Sequence, residues 1–354
     1  MELKKYKLGE LITQRREKNS ESGLPICGVS KEGLIPPKQQ EADTSIYNVF
    51  YRGDFIFNPA RMELNSIAFN DIYEKAICSS LYEVFFVHRT DLILPEYLKL
   101  IVKQKWFTRY CEFLGQGSAR EYCRFANISE IEIEFPSIDE QRKIVNADAV
   151  ISNRIEIKKH INDNLEATAQ AVLQEKINSN GVETTVDSLI ELFDSMRRPM
   201  SSLDRSGMAR LYPYYGAASL MDYVDDFIFD GIYGLLGEDG TVMDENGYPT
   251  MQYVWGKFWV NNHAHIFQGK NGYSTEMVYL ILKNTVVRNA VTGAVQLKIN
   301  QENLRKLPVS VPCEDDLPQL NELIDRLFRS IRETSDEISS LSNLKDILLA
   351  KMSD

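Results

Sequence analysis

The sequence predicts an α/β (α+β) chain in which two globules alternate with two long helices as an internal, pseudo-twofold repeat. Three observations carry this. First, Ile128, Ile131, Ile133, Phe135 and Pro136 recur 176 residues later as Leu304, Leu307, Val309, Val311 and Pro312. Gly117 and Arg120 fall on Gly293 and Gln296 at the same offset. A fixed offset that preserves apolar spacing and a proline together marks a repeat. Second, each Pro is followed by a long amphipathic segment. Third, the region before each Pro mixes short apolar strands with turn signals.

Each element follows from its local pattern. The alternation Ile131, Ile133, Phe135 predicts a short half-buried strand closed by Pro136, and Val309 and Val311 repeat it before Pro312. Residues 139–177 contain neither Pro nor Gly. Their stripe runs Ile144, Ala147, Ile151, Ile155, Ile161, Leu165, Thr168 and Val172, with Lys158 as a polar interruption. The second stripe runs Leu317, Leu320, Ile324, Leu327, Ile331, Thr334, Ile338, Leu341 and Leu348, with Lys345 at the missing step. Steps near 3.5 residues suit a coiled coil. At ~1.5 Å per residue each helix runs roughly 50–60 Å. Two such stripes should pack on each other as an antiparallel pair, holding the globules apart.

Within the globules, Asp54-Phe55-Ile56-Phe57, Tyr82 to Val87 and Ala264 to Phe267 read as strands. Asp239-Gly240 and Asn246-Gly247 read as turns. The segments from Pro95 and from Thr275 read as matching helix starts. The expected domains are a first globule over 1–136, a central helix over 137–180, a second globule over 181–312 and a C-terminal helix over 313–354.

Composition narrows the chemistry. Of 354 residues, 44% are hydrophobic and 26% charged, ordinary for a globular protein. The start MELKKYKLGELI lacks the apolar core of a signal peptide, and no run reaches ~18 apolar residues, so a cytoplasmic protein is expected. Cys27, Cys78, Cys111, Cys123 and Cys313 form no CxxC pair, which leaves neither a disulfide framework nor a zinc motif. His263 and His265 alternate, but a metal site needs further ligands. Gly234 to Gly240 fits neither phosphate-loop pattern and reads as a turn. Asn58-Pro59-Ala60 resembles the start of an adenine-methyltransferase NPP[YF] word but lacks its second Pro and its aromatic. No catalytic constellation is legible.

The net charge of −11 does not suggest nucleic acid. The acid is unevenly spread, however. Residues 1–136 carry 18 Lys and Arg against 19 Asp and Glu, residues 181–312 carry 11 against 15, and residues 313–354 carry 5 against 10.

In layout the chain resembles the specificity subunit of type I restriction-modification systems. Pro136-Ser137-Ile138-Asp139-Glu140-Gln141-Arg142-Lys143-Ile144-Val145 is similar to the family's junction between the first target-recognition domain and its spacer helix, and Asn162 to Gln170 to that helix's later part. Gly28 to Gly33, Arg52 to Phe55, Asn58 to Arg61 and Ser66 to Ala68 resemble one version of the recognition domain. Tyr212 to Gly216, Asp230-Gly231 and Gly256 to Ala264 resemble another. The second junction, Pro312-Cys313-Glu314-Asp315-Asp316-Leu317-Pro318, lacks the Glu-Gln-Arg word.

The resemblance implies a subunit without catalysis or cofactor of its own. Each globule reads half of a split double-stranded DNA target, and the helix pair sets the gap and docks two methyltransferase subunits. S-adenosylmethionine, ATP and magnesium belong to partners, which include two restriction subunits where cleavage occurs. Arg suits guanine and Asn suits adenine, while phosphate contacts set register. The candidate contacts in the first globule are Lys31, Lys38, Arg61, Arg120 and Arg124, with Arg120 beside the Gly115-Gln116-Gly117-Ser118 loop. In the second they are Arg197, Arg198, Arg205, Arg210, Tyr214, Tyr215, Lys257 and Asn262. Solvated surface charge, and core packing for the tyrosines, are the plain alternatives. Two other classes stay open: a fused or orphan restriction-modification enzyme with an unrecognised active site, and a coiled-coil scaffold without DNA binding.

Overall fold

The structure, a computed structural model, describes residues 3–37, 43–115, 122–293 and 296–352. The chain divides into two compact units, Met1–Ile155 with Ser340–Asp354, and Glu156–Ser339.

The first unit runs β1 (Lys4–Lys7), β2 (Ile12–Arg15), β3 (Ile26–Ser30), β4 (Gly33–Ile35), β5 (Asn48–Tyr51), β6 (Phe55–Phe57), β7 (Ile67–Phe69), β8 (Lys75–Cys78) and β9 (Glu83–Val87). Then come α1 (Pro95–Val102), α2 (Lys105–Gly115), α3 (Phe125–Ser129), β10 (Glu132–Phe135) and the start of α4 (Ile138–Asn180). Two four-stranded sheets, ordered β2-β9-β6-β7 and β4-β3-β8-β5, share a divided core. The run Phe55-Ile56-Phe57 is buried on both faces, because Phe55 and Phe57 enter one apolar cluster and Ile56 another. That double burial is why the strand is uniformly apolar. β1 pairs antiparallel with β10 and so ties the globule's first strand to its last. Ile144 and Val145 of α4 and Met352 from the chain end pack on the larger cluster.

The second unit runs β11 (Val182–Thr185), β12 (Ile190–Leu192), α5 (Ser202–Arg205), β13 (Tyr212–Tyr215), β14 (Leu220–Val224), β15 (Phe229–Gly237), β16 (Met251–Val260) and β17 (Ala264–Gly269). It continues with α6 (Thr275–Lys283), β18 (Val291–Thr292), β19 (Lys298–Ile299), α7 (Gln301–Lys306), β20 (Pro308–Val311) and α8 (Leu317–Ala350). Its main sheet has the order β12-β17-β15-β16-β13-β14. The expected turns form, with Gly240 at φ 78° and Gly247 at φ 93°, values that favour glycine. The segment from Gly234 to Gly237 is not a turn but the end of β15. Gly234 lies so close to the Phe267 ring that any Cβ would collide with it.

The repeat reaches further than the terminal strand. β11 pairs with β20 as β1 pairs with β10. The Leu8 amide donates to Ile131 O at 2.8 Å and the Val186 amide to Leu307 O at 3.0 Å. Ala169 and Leu173 of α4 share the second unit's core with Leu317, Leu320, Ile324, Phe328 and Ile331 of α8.

Within that unit the two helices run antiparallel. Lys158 pairs with Glu337 at 2.5 Å, Asn162 Nδ2 donates to Ser335 Oγ at 2.9 Å, and Lys176 pairs with Asp316 at 2.8 Å. In the first unit Lys345 pairs with Asp148 at 3.3 Å and donates to Ser152 Oγ at 2.6 Å. The two lysines that broke the apolar stripes thus face acids across the seam. The expected stripe fails at two positions. Ile161 and Thr168 are exposed, and the seam passes through Asn162 and Ala169 instead. Asn162 reaches its place because its amide bonds across the seam, a pairing that an apolar pattern does not register.

Candidate nucleic-acid interface

In the first unit a cleft of about 810 Å³ opens between the β3–β4 turn, the segment Arg61–Ser66 and the residues from Lys103 to Glu112. Backbone geometry shapes one wall. Asn65 adopts φ 53°, the left-handed region that Asn tolerates. Its Nδ2 donates to Val102 O at 3.1 Å and Thr108 Oγ1 at 2.6 Å, fixing the turn to the end of α1 and to α2. Lys103 is the second brace. Its ammonium donates to Lys31 O at 2.7 Å and Ile67 O at 2.8 Å. Burial pulls Lys103 down to about 8.

The cleft's cations differ in what they face. Lys31 is exposed and 3.8 Å from Glu32. Arg61, Lys105 and Arg109 are exposed at the cleft and form no ion pair among the described residues. Glu32, Glu63 and Glu112 also line it, so the five cations keep an excess of positive charge there. Arg61, Lys105 and Arg109 are suited to phosphate oxygens, because each can exchange water for anion without breaking an ion pair among the described residues. Arg124 stands apart from this cleft. It lies over the Tyr122 ring at 5.3 Å and pairs with Glu83 at 3.2 Å. Lys38 and Arg120, with residues 116–118 of the glycine loop, lie outside the described residues. Lys103, Lys105 and Arg109 also line this cleft and are not among the contacts expected from the sequence. Their signal was the run Lys103-Gln104-Lys105-Trp106-Phe107-Thr108-Arg109, basic residues interleaved with aromatics.

In the second unit the arginine cluster divides into interior and surface members. Arg197 is interior: it pairs with Glu238 at 2.6 Å and donates to Ala264 O at 2.7 Å and Asp194 O at 3.0 Å. Arg205 is interior as well, paired with Asp222 at 3.2 Å and lying over the Tyr214 ring at 4.6 Å. Tyr214 is core, with 1% of its surface exposed. Tyr215 packs on Phe258, and burial raises its hydroxyl pKa. These four side chains are largely packed into the wall, and Arg205 and Tyr214 also border a small cleft. Arg198, Arg210, Lys257 and Asn262 are on the surface. Arg210 is only loosely held by Asp222 at 3.4 Å, and Lys257 lies over Phe227 at 4.5 Å. Asn262 lines a smaller cleft of about 450 Å³ with Met200, Arg205 and His263.

Behind this surface lies a buried ionic cluster. Asp194 accepts from His265 Nδ1 at 2.6 Å, from the Ile266 amide at 2.9 Å and from Gln301 Nε2 at 2.5 Å. Asp194, Glu238 and His265 present ligand atoms within 4.8 Å of one another, as a metal site would. The donor set does not fit a cation, however. His265 Nε2 also faces an acceptor, Ile299 O at 2.8 Å, so both ring nitrogens meet oxygen. Arg197 and Lys298, the latter 3.1 Å from Glu238, already supply the positive charge. The cluster is a brace that ties the segment before Arg197 to β17 and α7.

No helix among the described residues is long and apolar enough to cross a membrane. The family model for the type I restriction modification DNA specificity domain matches residues 9–167 and again 182–338. A putative type I restriction enzyme specificity subunit of Haemophilus influenzae is 31% identical over 143 residues, 40% of this chain and 36% of that protein. The MjaIX type I restriction enzyme specificity subunit of Methanocaldococcus jannaschii is 21% identical over 74% of this chain and 69% of its own length. The crystal structure of a type I restriction-modification S subunit from M. genitalium shares the fold, with a TM-score of 0.58 at 16% identity over 99% of this chain and 96% of that one. With both halves matched by the same domain model, the chain belongs to the type I restriction-modification DNA specificity family.

Proposed function

We propose that this chain is the sequence-reading subunit of a type I restriction-modification complex. The observation that carries this is the double match of one DNA specificity domain to two units built on the same strand-and-helix frame. Each recognition domain contacts one half of a bipartite duplex target, and the long helices set the gap. The chain contributes no catalytic group. Adenine methylation with S-adenosylmethionine belongs to two methyltransferase subunits docked on the helices, and ATP- and magnesium-dependent cleavage to restriction subunits. The first recognition domain grips DNA at the cleft of Lys31, Arg61, Lys105 and Arg109. The second uses Arg198, Arg210, Lys257 and Asn262, all on its surface. Lys38, Arg120 and Arg124 extend the first contact surface.

The test is selection of bound duplexes from a random pool by the chain assembled with its methyltransferase. Enrichment of two short motifs at one fixed gap is expected. Methyl transfer by the purified chain alone would instead reveal an enzyme, and a pool that stays random would reveal a scaffold.

A further inference from the structure

One side chain in each unit bonds an equivalent pair of backbone groups at the entry of a core helix. Gln141, on the first turn of α4, is fully buried. Its Oε1 accepts from the Leu94 amide at 2.9 Å, and its Nε2 donates to Leu92 O and Pro136 O, each at 2.9 Å. Asn321, near the start of α8, repeats the pattern one methylene shorter. Its Oδ1 accepts from the Ser274 amide at 3.1 Å and its Nδ2 donates to Gly272 O at 2.7 Å. Leu92 and Gly272, Leu94 and Ser274, and Gln141 and Asn321 all stand the same 180 residues apart. Leu94 and Ser274 are the N-caps of α1 and α6, the helices that enter the two cores. Each amide therefore bolts the entry of a core helix to the base of the long helix that leaves the same globule. The second junction lacks the Gln of the first, yet it keeps the bolt.

The two bolts differ in how replaceable they are. Leu94 has no side-chain cap to offer α1, whose first residue is Pro95. Ser274 caps α6 itself by accepting from the Met277 amide at 3.2 Å. A fully buried amide that loses its partners leaves orphaned backbone groups, the costliest form of hydrogen-bond loss.

We propose that Gln141 and Asn321 are equivalent positioning residues. Each fixes the angle between a recognition domain and its long helix and so keeps the gap between half-sites at a single length, a role that rests on the DNA-reading function proposed above. The test uses the full chain with its methyltransferase, as Gln141→Leu and Asn321→Ala. Asn321→Ala is the variant that keeps the test decisive should Gln141→Leu fold poorly. Amide hydrogen exchange is expected to quicken about tenfold at Leu94 or Ser274 respectively. DNA selected by either variant is expected to keep both half-site sequences while the gap spreads by about one base pair either way, a change that a purely local stabilising role would not produce. Faster exchange with a gap as narrow as the parent's would overturn the positioning role, as would unchanged exchange. Should the unaltered chain select no bipartite target, the DNA-reading function fails, and exchange at Leu94 and Ser274 alone then upholds or overturns the bolts.

Discussion

A buried arginine and an exposed one do different work, and neither is labelled in a sequence. Arg197 and Arg205 stand in the same basic run as Arg198 and Arg210, yet the first two are locked inside by Glu238 and Asp222. Which of them faces solvent depends on acids 17 to 41 residues away, so proximity along the chain could not sort them. Arg197→Met is expected to destabilise the second unit by about 3 kcal/mol, because it strands buried acids; thermal unfolding measures this. Lys105→Glu or Arg109→Glu is expected to leave unfolding unchanged. Each should weaken DNA binding and lower the slope of log affinity against log salt by about one, read by titrating duplex across a salt series. The acids behind Arg197 also set a pH dependence. Burial alone would raise Asp194 and Glu238. For Asp194 the bond and charge from His265, the Ile266 amide and the Arg197 charge together outweigh it, and for Glu238 the bonds from Arg197 and Lys298 with the charges of His265 and Arg197 do, so both carboxyls sit below their ordinary values of 3.8 and 4.5. The unfolded chain then binds more protons at acid pH. Their contribution is complete above those ordinary values and is lost as pH falls below them through the lower folded-state values; denaturant midpoints between pH 6 and pH 3 should show the decline begin.

At the scale of elements the two long helices were the most legible part of the sequence. Their stripes needed only period, length and the absence of Pro and Gly. What the stripes misjudged was the polar part of the seam. Lys158 and Lys345 looked like flaws, and each faces an acid supplied by the other helix. Asn162 has no place in the expected stripe and lies in the seam, while Ile161 beside it is exposed. Partners on another helix cannot be seen from one helix's periodicity. Glu337→Ala leaves the mostly buried Lys158 ammonium without this pair and is expected to cost about 1–2 kcal/mol, lowering the melting temperature by a few degrees in differential scanning calorimetry. The N-terminal arm of the repeat was also missed. Leu11-Ile12 and Leu189-Ile190 stand at an offset two residues longer than the terminal strands, so a search at one fixed offset passes over them, although their hydrogen bonds match.

For the whole molecule the repeat sets two different sheets on one shared frame, as the proposed reading of a bipartite target requires. The shared frame is the paired end strands, the helix before the last strand, the amide bolt and the long helix. The main sheets carried on that frame differ: two of four strands in one unit, and in the other one of six beside the small β18-β19 pair. The frame was visible in the sequence because it rests on proline, apolar spacing and helix length. The reading surfaces were not, because they depend on which cations find acids after folding. Replacing residues 1–136 with the corresponding domain of another family member, and selecting bound duplexes with the methyltransferase present, tests this division most directly. One half-site should change while the other half-site and the gap stay as they were. A change in both half-sites, or in neither, would contradict it.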